Sequence, residues 1–232
     1  MQAERHDGLR VGGLTRFTTI DFPGRLAAVV FCQGCPWRCT YCHNPGLLPA
    51  RSAAGLHWED VLRFLSGRRG LLDGVVFSGG EPTTQAALPD ALRAVREMGF
   101  AVGLHTAGMH PRRLASALPW LDWVGLDIKG PSHAYARISG RVHSGAAPFE
   151  SLKLLMDAGV AHEIRCTWHP DLLSIEDIDT LCVELRRLGA QPPVLQHCRP
   201  PAGTGGLRAL NKEDTCEVTD RVRAHFGVCH SR

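Results

Sequence analysis

No stretch of this 232-residue chain stays apolar for the roughly 18 residues that a membrane-crossing helix requires. Met1 to Arg10 is polar and holds no apolar core of the signal-peptide kind, so a cytoplasmic location is the expectation. Excess charge of one sign is also scarce. The balance is +3, and the basic pairs Arg68-Arg69, Arg112-Arg113 and Arg186-Arg187 are scattered rather than gathered in a stripe. Nucleic acid and membrane surfaces are therefore not expected as partners, and solvated surface, partly at helix ends where cations suit the dipole, accounts for these pairs. The chain shows no linker, low-complexity tract or sequence repeat, and no convincing nucleophile–base set. A single domain over residues 1–232 is expected.

Cysteine is plentiful, but its distribution argues against a disulfide framework. The count of nine is odd, and Cys32, Cys35, Cys39 and Cys42 crowd into one short segment. In a cytosolic enzyme such crowding favours a metal or catalytic role. Cys166, Cys182, Cys198, Cys216 and Cys229 are well separated and read as buried single thiols.

Apolar runs of strand length alternate with helical patterns along most of the chain. Residues 11–24 read as a short strand and turn, part of an N-terminal extension over 1–25. Strands are predicted at Leu26–Phe31, Gly74–Phe77, Ala101–Leu104, Trp123–Leu126, His162–Trp168 and Val194–Gln196. Helices are predicted at Trp58–Leu65, Thr84–Met98, Pro111–Ala117, Ala147–Ala158 and Lys212–Phe226, with another capped by Ser174 and Asp177. Residues 131–146, rich in Gly, Ser and Ala, read as a loop. Six β-then-α units predict an α/β fold with a parallel sheet and right-handed crossovers. The alternation does not separate a partial barrel from an open doubly wound sheet. In either, functional groups gather at the C-terminal strand ends, and the polar motifs fall there.

The first motif is Cys35-x3-Cys39-x2-Cys42. Three thiolates from one loop can hold three irons of a [4Fe–4S] cube and leave the last iron open to a non-protein ligand. A Cys3His zinc knuckle using His43, or closure of the cluster by Cys32, are the other readings of the loop. The second motif, Ser78-Gly79-Gly80-Glu81-Pro82, follows a strand; paired glycines let a ligand approach the backbone and leave N–H groups available. Asp127 and Lys129 occupy alternate strand positions and so share a face. Arg165 either faces the sheet mouth, able to pair a carboxylate, or lies at the surface; His169, before Pro170, reads as structural.

The cysteine spacing, with Tyr41 just before Cys42, resembles the signature of the radical S-adenosylmethionine (SAM) superfamily, and Ser78–Pro82 resembles its Gly-Gly-Glu motif. Within that superfamily, Gly13–Arg16, Thr19–Gly24, Cys35–Asn44, Leu126–Gly130 and the Arg165 to Pro170 stretch resemble the single-cluster activating proteins of anaerobic ribonucleoside-triphosphate reductase. The resemblance implies a partial (β/α)6 barrel over nearly the whole chain and a [4Fe–4S] cluster on Cys35, Cys39 and Cys42, with Cys32 outside it. It implies SAM on the open iron, held by the Gly79-Gly80 backbone, Glu81, Asp127 and Lys129. Tyr41 would border the adenine, and Cys42, His43, Ser78, Thr106 and Arg165 complete the cofactor-binding set. Ala107 stands where such activases often carry an amide. Which of His169, His197 and Arg199 meets the ribose is left open. No catalytic side chain beyond cluster and SAM is implied, nor, without a ferredoxin-like insertion, any auxiliary cluster. The implied partners are a glycyl radical enzyme, first an anaerobic ribonucleotide reductase, and a flavodoxin- or ferredoxin-type electron donor. A pyruvate formate-lyase-type partner, a small-molecule enzyme of the deazaguanine pathway and a zinc-dependent interaction module are the alternatives.

Overall fold

Two neighbouring runs of sequence behave oppositely in burial. Strand β1 (Val11–Thr18) is half-exposed, whereas β2 (Ala27–Cys32) is buried along nearly its whole length, as a run without polar alternation requires. The computed structural model describes residues 8–52, 55–198 and 207–232. In it β1 lies antiparallel to β2, while β3 (Gly74–Gly79) and β4 (Ala101–Thr106) continue parallel. Strands β5 (Trp123–Asp127), β6 (Ala161–Trp168), β7 (Val194–His197) and β8 (His230–Ser231) follow, with β6, β7 and β8 paired in parallel. Strand order in the sheet follows chain order, and the α/β class with a mostly parallel sheet is the expected one.

The helices are α1 (Trp58–Ser66), α2 (Leu88–Glu97), α3 (Pro111–Ala117), α4 (Tyr135–Ser139), α5 (Ala146–Asp157), α6 (Ile175–Arg187) and α7 (Lys212–Phe226). Among the described residues none is long and apolar enough to cross a membrane. Helix α6 starts in a complete capping box, with Ser174 Oγ accepting from the Asp177 N–H and the Asp177 carboxylate accepting from the Ser174 N–H. Asn211 and Asp214 repeat that arrangement at α7.

Three sequence expectations need correction. Helix α2 begins at Leu88, not Thr84, because Gln85 is held in extended conformation (ψ 123°) by long-range hydrogen bonds through its carboxamide. Residues 131–146 are not a plain loop: Ser132–Ala134 forms a 3-10 turn leading into α4, which buries Tyr135 and Ile138. Strand β8 was not anticipated, being too short for any pattern.

Two compact bodies divide the chain. The first takes the chain up to Pro36, Gly46–Thr106 and Arg112–Val124; the second takes Trp37–Pro45, Ala107–Pro111 and the chain from Gly125. The core of the first gathers Phe22, Ala27, Val29, Val76 and Trp123, with Phe31 and Ala101 against it. Phe22 stacks on Trp123 with ring centroids 5.7 Å apart. A Cβ at Gly74 would come within 2.9 Å of the Phe22 ring, and one at Gly103 within 3.4 Å. Those two glycines leave room for Phe22 within the parallel strands. The Thr19–Gly24 stretch is thereby a structural plug, steadied where the Thr18 hydroxyl donates to the Asp21 carboxylate and His105 Nε2 meets the Asp21 carbonyl at 2.9 Å.

Truncating Phe22 to alanine leaves a cavity beside two glycines that cannot fill it. Phe22→Ala should cost about 3–5 kcal/mol in urea unfolding, the usual range for a buried phenylalanine. A loss near zero would show that the ring is not part of the core.

Candidate active site

In the first body, the parallel register of β2 and β3 runs to Cys32↔Gly79 and continues past both strand ends. Gly80 N–H donates to the Cys32 carbonyl and Glu81 N–H to the Gly34 carbonyl, both at 2.9 Å. Gly79 (φ +111°) sits so close to Cys32 that a Cβ would fall 2.5 Å from the Cys32 nitrogen, and one on Gly80 would collide with the Gly34 carbonyl. The paired glycines therefore admit the chain's own cysteine segment, and the Gly80 amide, expected to be available, is taken by it, as is that of Glu81. Ser78 and Gly79 lie beyond the last β3–β4 pair, Phe77↔Leu104, and are half-buried.

Glu81 is only 1 % exposed. Its Oε1 accepts from Thr83 N–H at 3.1 Å, Thr83 Oγ1 at 2.6 Å and Thr106 Oγ1 at 2.6 Å. Such charge-assisted bonds are short and strong. Both predicted cofactor contacts, Glu81 and Thr106, thus use their side chains to tie the end of β3 to the end of β4. Cys32 is fully buried, and burial, with Glu81 adding to it and Arg10 opposing, pushes its thiol far above the ordinary range.

In the second body, Cys39 and Cys42 are half-buried on one turn, closed by Cys42 N–H donating to the Cys39 carbonyl at 3.1 Å; His43 is exposed. Tyr41 between them is buried, and its hydroxyl has no hydrogen-bond partner among the described residues. Lys129 Nζ stands 5.5 Å from the Tyr41 ring centroid and 3.4 Å from Asp127 Oδ2. The Lys129 side chain is 10 % exposed and that of Asp127 36 %, so the pair offers a shielded cation with a carboxylate open to solvent. Burial works against the Lys129 ammonium, but Tyr41, then Asp127, Cys39 and Tyr135, outweigh it and raise its proton affinity. The Cys39 thiol is pushed up by burial, against the pull of Lys129.

Tyr135 is the residue that sequence reasoning missed. Its hydroxyl accepts from Lys129 N–H at 2.9 Å, and its ring meets Trp37 edge-on at 5.9 Å between centroids. The Arg38 N–H donates to the Ser139 carbonyl, so α4 braces the residues just before Cys39. The spacing of Ala134, Tyr135 and Ile138 was the available helical signal.

Arg165 is buried, and the carboxylate it pairs is the chain's own Glu163, 2.7 Å from Nε. Arg232 reaches the same Glu163 oxygen at 2.6 Å. His169 is fully buried: Nδ1 accepts from Asp171 N–H, which leaves Nε2 to donate to the Arg208 carbonyl. Both of its ring nitrogens are thus engaged within the chain. His197 is half-buried in β7, and Arg199 lies outside the described residues. Of the isolated cysteines, Cys166, Cys182 and Cys198 are buried as expected; Cys229 is half-buried and Cys216, on α7, is exposed. Burial pushes Cys166 up to about 12. None of the nine cysteines is in a disulfide, and among the described residues no three Cys, His, Asp or Glu side chains stand together as a preformed metal centre.

Against this geometry, residues 29–182 match the family model for the radical SAM superfamily. This chain belongs to the radical SAM superfamily. Its enzymes use a [4Fe–4S] cluster and SAM, and membership displaces the zinc-module alternative. The pyruvate formate-lyase-activating enzyme of Clostridium pasteurianum is 34% identical over 169 residues, 70% of each chain. A Methanocaldococcus jannaschii protein named as a glycyl-radical enzyme activating enzyme is 29% identical over 178 residues, 74% of this chain and 73% of its own. Among solved structures, Escherichia coli QueE superposes with a TM-score of 0.62 at 19% identity, over 98% of this chain and 95% of its own, a likeness of fold.

Glu163 gives a pH test of the buried arginine. Burial alone would raise its carboxyl, but Arg165 and Arg232 together hold it below the ordinary range. A depressed folded-state value adds stability that is complete above the ordinary carboxylate range and is lost as pH falls through the lowered value. Glu163→Gln should therefore be less stable than the unsubstituted chain in urea at neutral pH, with the gap closing in acid. A gap that widens on acidification would contradict the pairing.

Proposed function

We propose that this radical SAM enzyme is a glycyl-radical-enzyme activase, and that its partner is an anaerobic ribonucleoside-triphosphate reductase. The single observation that carries the activase reading is the alignment with two activating enzymes over about seven-tenths of the chain. The reductase as partner is supported by the Thr19–Gly24 stretch, which resembles that group of activases. A pyruvate formate-lyase-type partner is the second reading, favoured by the printed name of the Clostridium relative.

The residues present fit the implied cofactors. Cys35, Cys39 and Cys42 are in no disulfide and are partly accessible on one loop, the donor set a three-thiolate cluster needs. Metal binding removes thiol protons and can itself gather its ligands. The orphaned Tyr41 hydroxyl and the adjacent Lys129–Asp127 pair supply a buried polar group, a cation and a carboxylate for a zwitterionic ligand such as SAM. Held by these residues, the cluster and SAM would supply one-electron reductive chemistry able to remove a glycine Cα hydrogen from the partner.

The protein's part is orientation and electrostatics. Lys129 would meet the SAM carboxylate; Asp127 would meet an amino or hydroxyl group; and, as the family resemblance implies for the glycine motif, the carbonyl side of Ser78-Gly79 would accept from the SAM ammonium. Glu81 and Thr106 would hold that backbone in place from behind, while Arg165 is itself held by Glu163. The external reductant is proposed to be a flavodoxin- or ferredoxin-type protein.

Anaerobic incubation of the reduced protein and SAM with each candidate glycyl radical enzyme tests the proposal by electron paramagnetic resonance. A glycyl doublet on the reductase is expected. A doublet only on a formate-lyase-type enzyme would move the partner, and 5′-deoxyadenosine without any doublet would reject the activase reading. Lys129→Met should keep its iron but lower 5′-deoxyadenosine yield by about tenfold or more, in the range lost with groups that orient a metal-bound ligand.

A further inference from the structure

Two buried carboxamides lie behind the cysteine loop, and neither the family match nor the proposed chemistry assigns them a task. Gln33 and Gln85 are each 3 % exposed. Gln33 Nε2 donates to the Gly46 carbonyl at 3.2 Å and to the Pro49 carbonyl at 2.7 Å. The same joint is closed by backbone bonds from Gly34 N–H to the Leu47 carbonyl at 2.8 Å and from Cys35 N–H to the Leu48 carbonyl at 3.1 Å. The chain entering the cysteine loop is thus clamped to the chain leaving it.

Gln85 holds Gln33 in turn. Its Nε2 donates to the Gln33 carbonyl at 3.1 Å and to the Arg10 carbonyl at 2.9 Å, while its Oε1 accepts from Arg10 N–H at 2.7 Å. Gln33 N–H donates to the Arg10 carbonyl at 2.9 Å. A Cβ on Gly12 would collide with Leu47 and fall 2.5 Å from Gln33 Oε1, so β1 packs directly on this joint. Leucine or methionine would fill the same volume in an apolar interior. Buried amides whose donors are bonded cost little, but they fix one geometry because a shift leaves a buried N–H unpaired.

We propose that Gln33 and Gln85 are positioning residues for the cysteine loop: they fix the separation of its two ends, and so determine how firmly the loop retains iron. The retention part rests on the cluster reading above, whereas the clamping part does not. Gln33→Met and Gln85→Met keep the side-chain length and remove the donors. Ser151→Ala, which removes a buried donor to the Gly108 carbonyl in the second body, is the control for general destabilisation.

In the metal-free chain, hydrogen exchange at the Gly34 and Cys35 amides should quicken by about tenfold or more in both glutamine variants, while the β3 amides keep their protection. In reconstituted protein, iron release to a chelator should quicken by about tenfold or more, the range for groups that orient metal ligands. Ser151→Ala should change neither rate. Unchanged exchange in Gln33→Met and Gln85→Met, or equal acceleration in Ser151→Ala, would overturn the proposal. Should a methionine variant fail to fold, Gln33→Glu, which keeps the shape and removes the amide donors, is read against the same outcomes. Altered exchange in a chain that never takes up iron and sulfide would support the clamp and reject the cluster.

Discussion

Two backbone hydrogen bonds, from Gly80 and Glu81 to the carbonyls of Cys32 and Gly34, bind the glycine turn and the entrance to the cysteine loop into one piece. They prolong the parallel pairing of β2 and β3 beyond the strands, and only residues without a Cβ let the two segments come so close. The other features of the first body's strand ends build on that contact. Glu81 has its carboxylate carried inward, where three donors meet it and tie in Thr106 from the neighbouring strand. A buried carboxylate without those donors would be costly, so the turn is held from both sides.

The second body solves a different problem, that of keeping a cation out of water. Lys129 gains the Asp127 carboxylate and the face of Tyr41, and its backbone N–H is bonded to the Tyr135 hydroxyl. Cation–π contact of this kind strengthens as solvent is removed. Helix α4 supplies Tyr135 and also accepts the Arg38 N–H, so the same short helix steadies both the lysine and the approach to Cys39. The cysteine motif itself is shared, with Cys35 in the first body and Cys39 and Cys42 in the second.

The strands and most helices were legible because their apolar periods are strong and their ends are marked by glycine, proline or capping residues. The Ser174–Asp177 box is an example in which two side chains announce a helix start. The Gln85 conformation was not legible, since it is imposed by bonds to residues 52 and 75 positions away. Helix α4 was hidden by its glycine- and serine-rich flanks, although Tyr135 and Ile138 carry its buried face. Within the motif segments, spacing does not assign the task of each atom. Spacing cannot reveal that Gly79 and Gly80 make room for Cys32 and Gly34, or that Arg165 is matched by Glu163 on its own strand.

The central claim is that three cysteines, with Cys32 buried and excluded, leave one iron of a cluster for SAM. Mössbauer spectroscopy of the iron-57 protein, recorded anaerobically with and without SAM, examines it directly. One iron site alone should change its isomer shift on SAM addition, and Cys32→Ala should give the same pair of spectra. Spectra that SAM leaves unaltered, or a cluster that is lost in Cys32→Ala, would contradict the account.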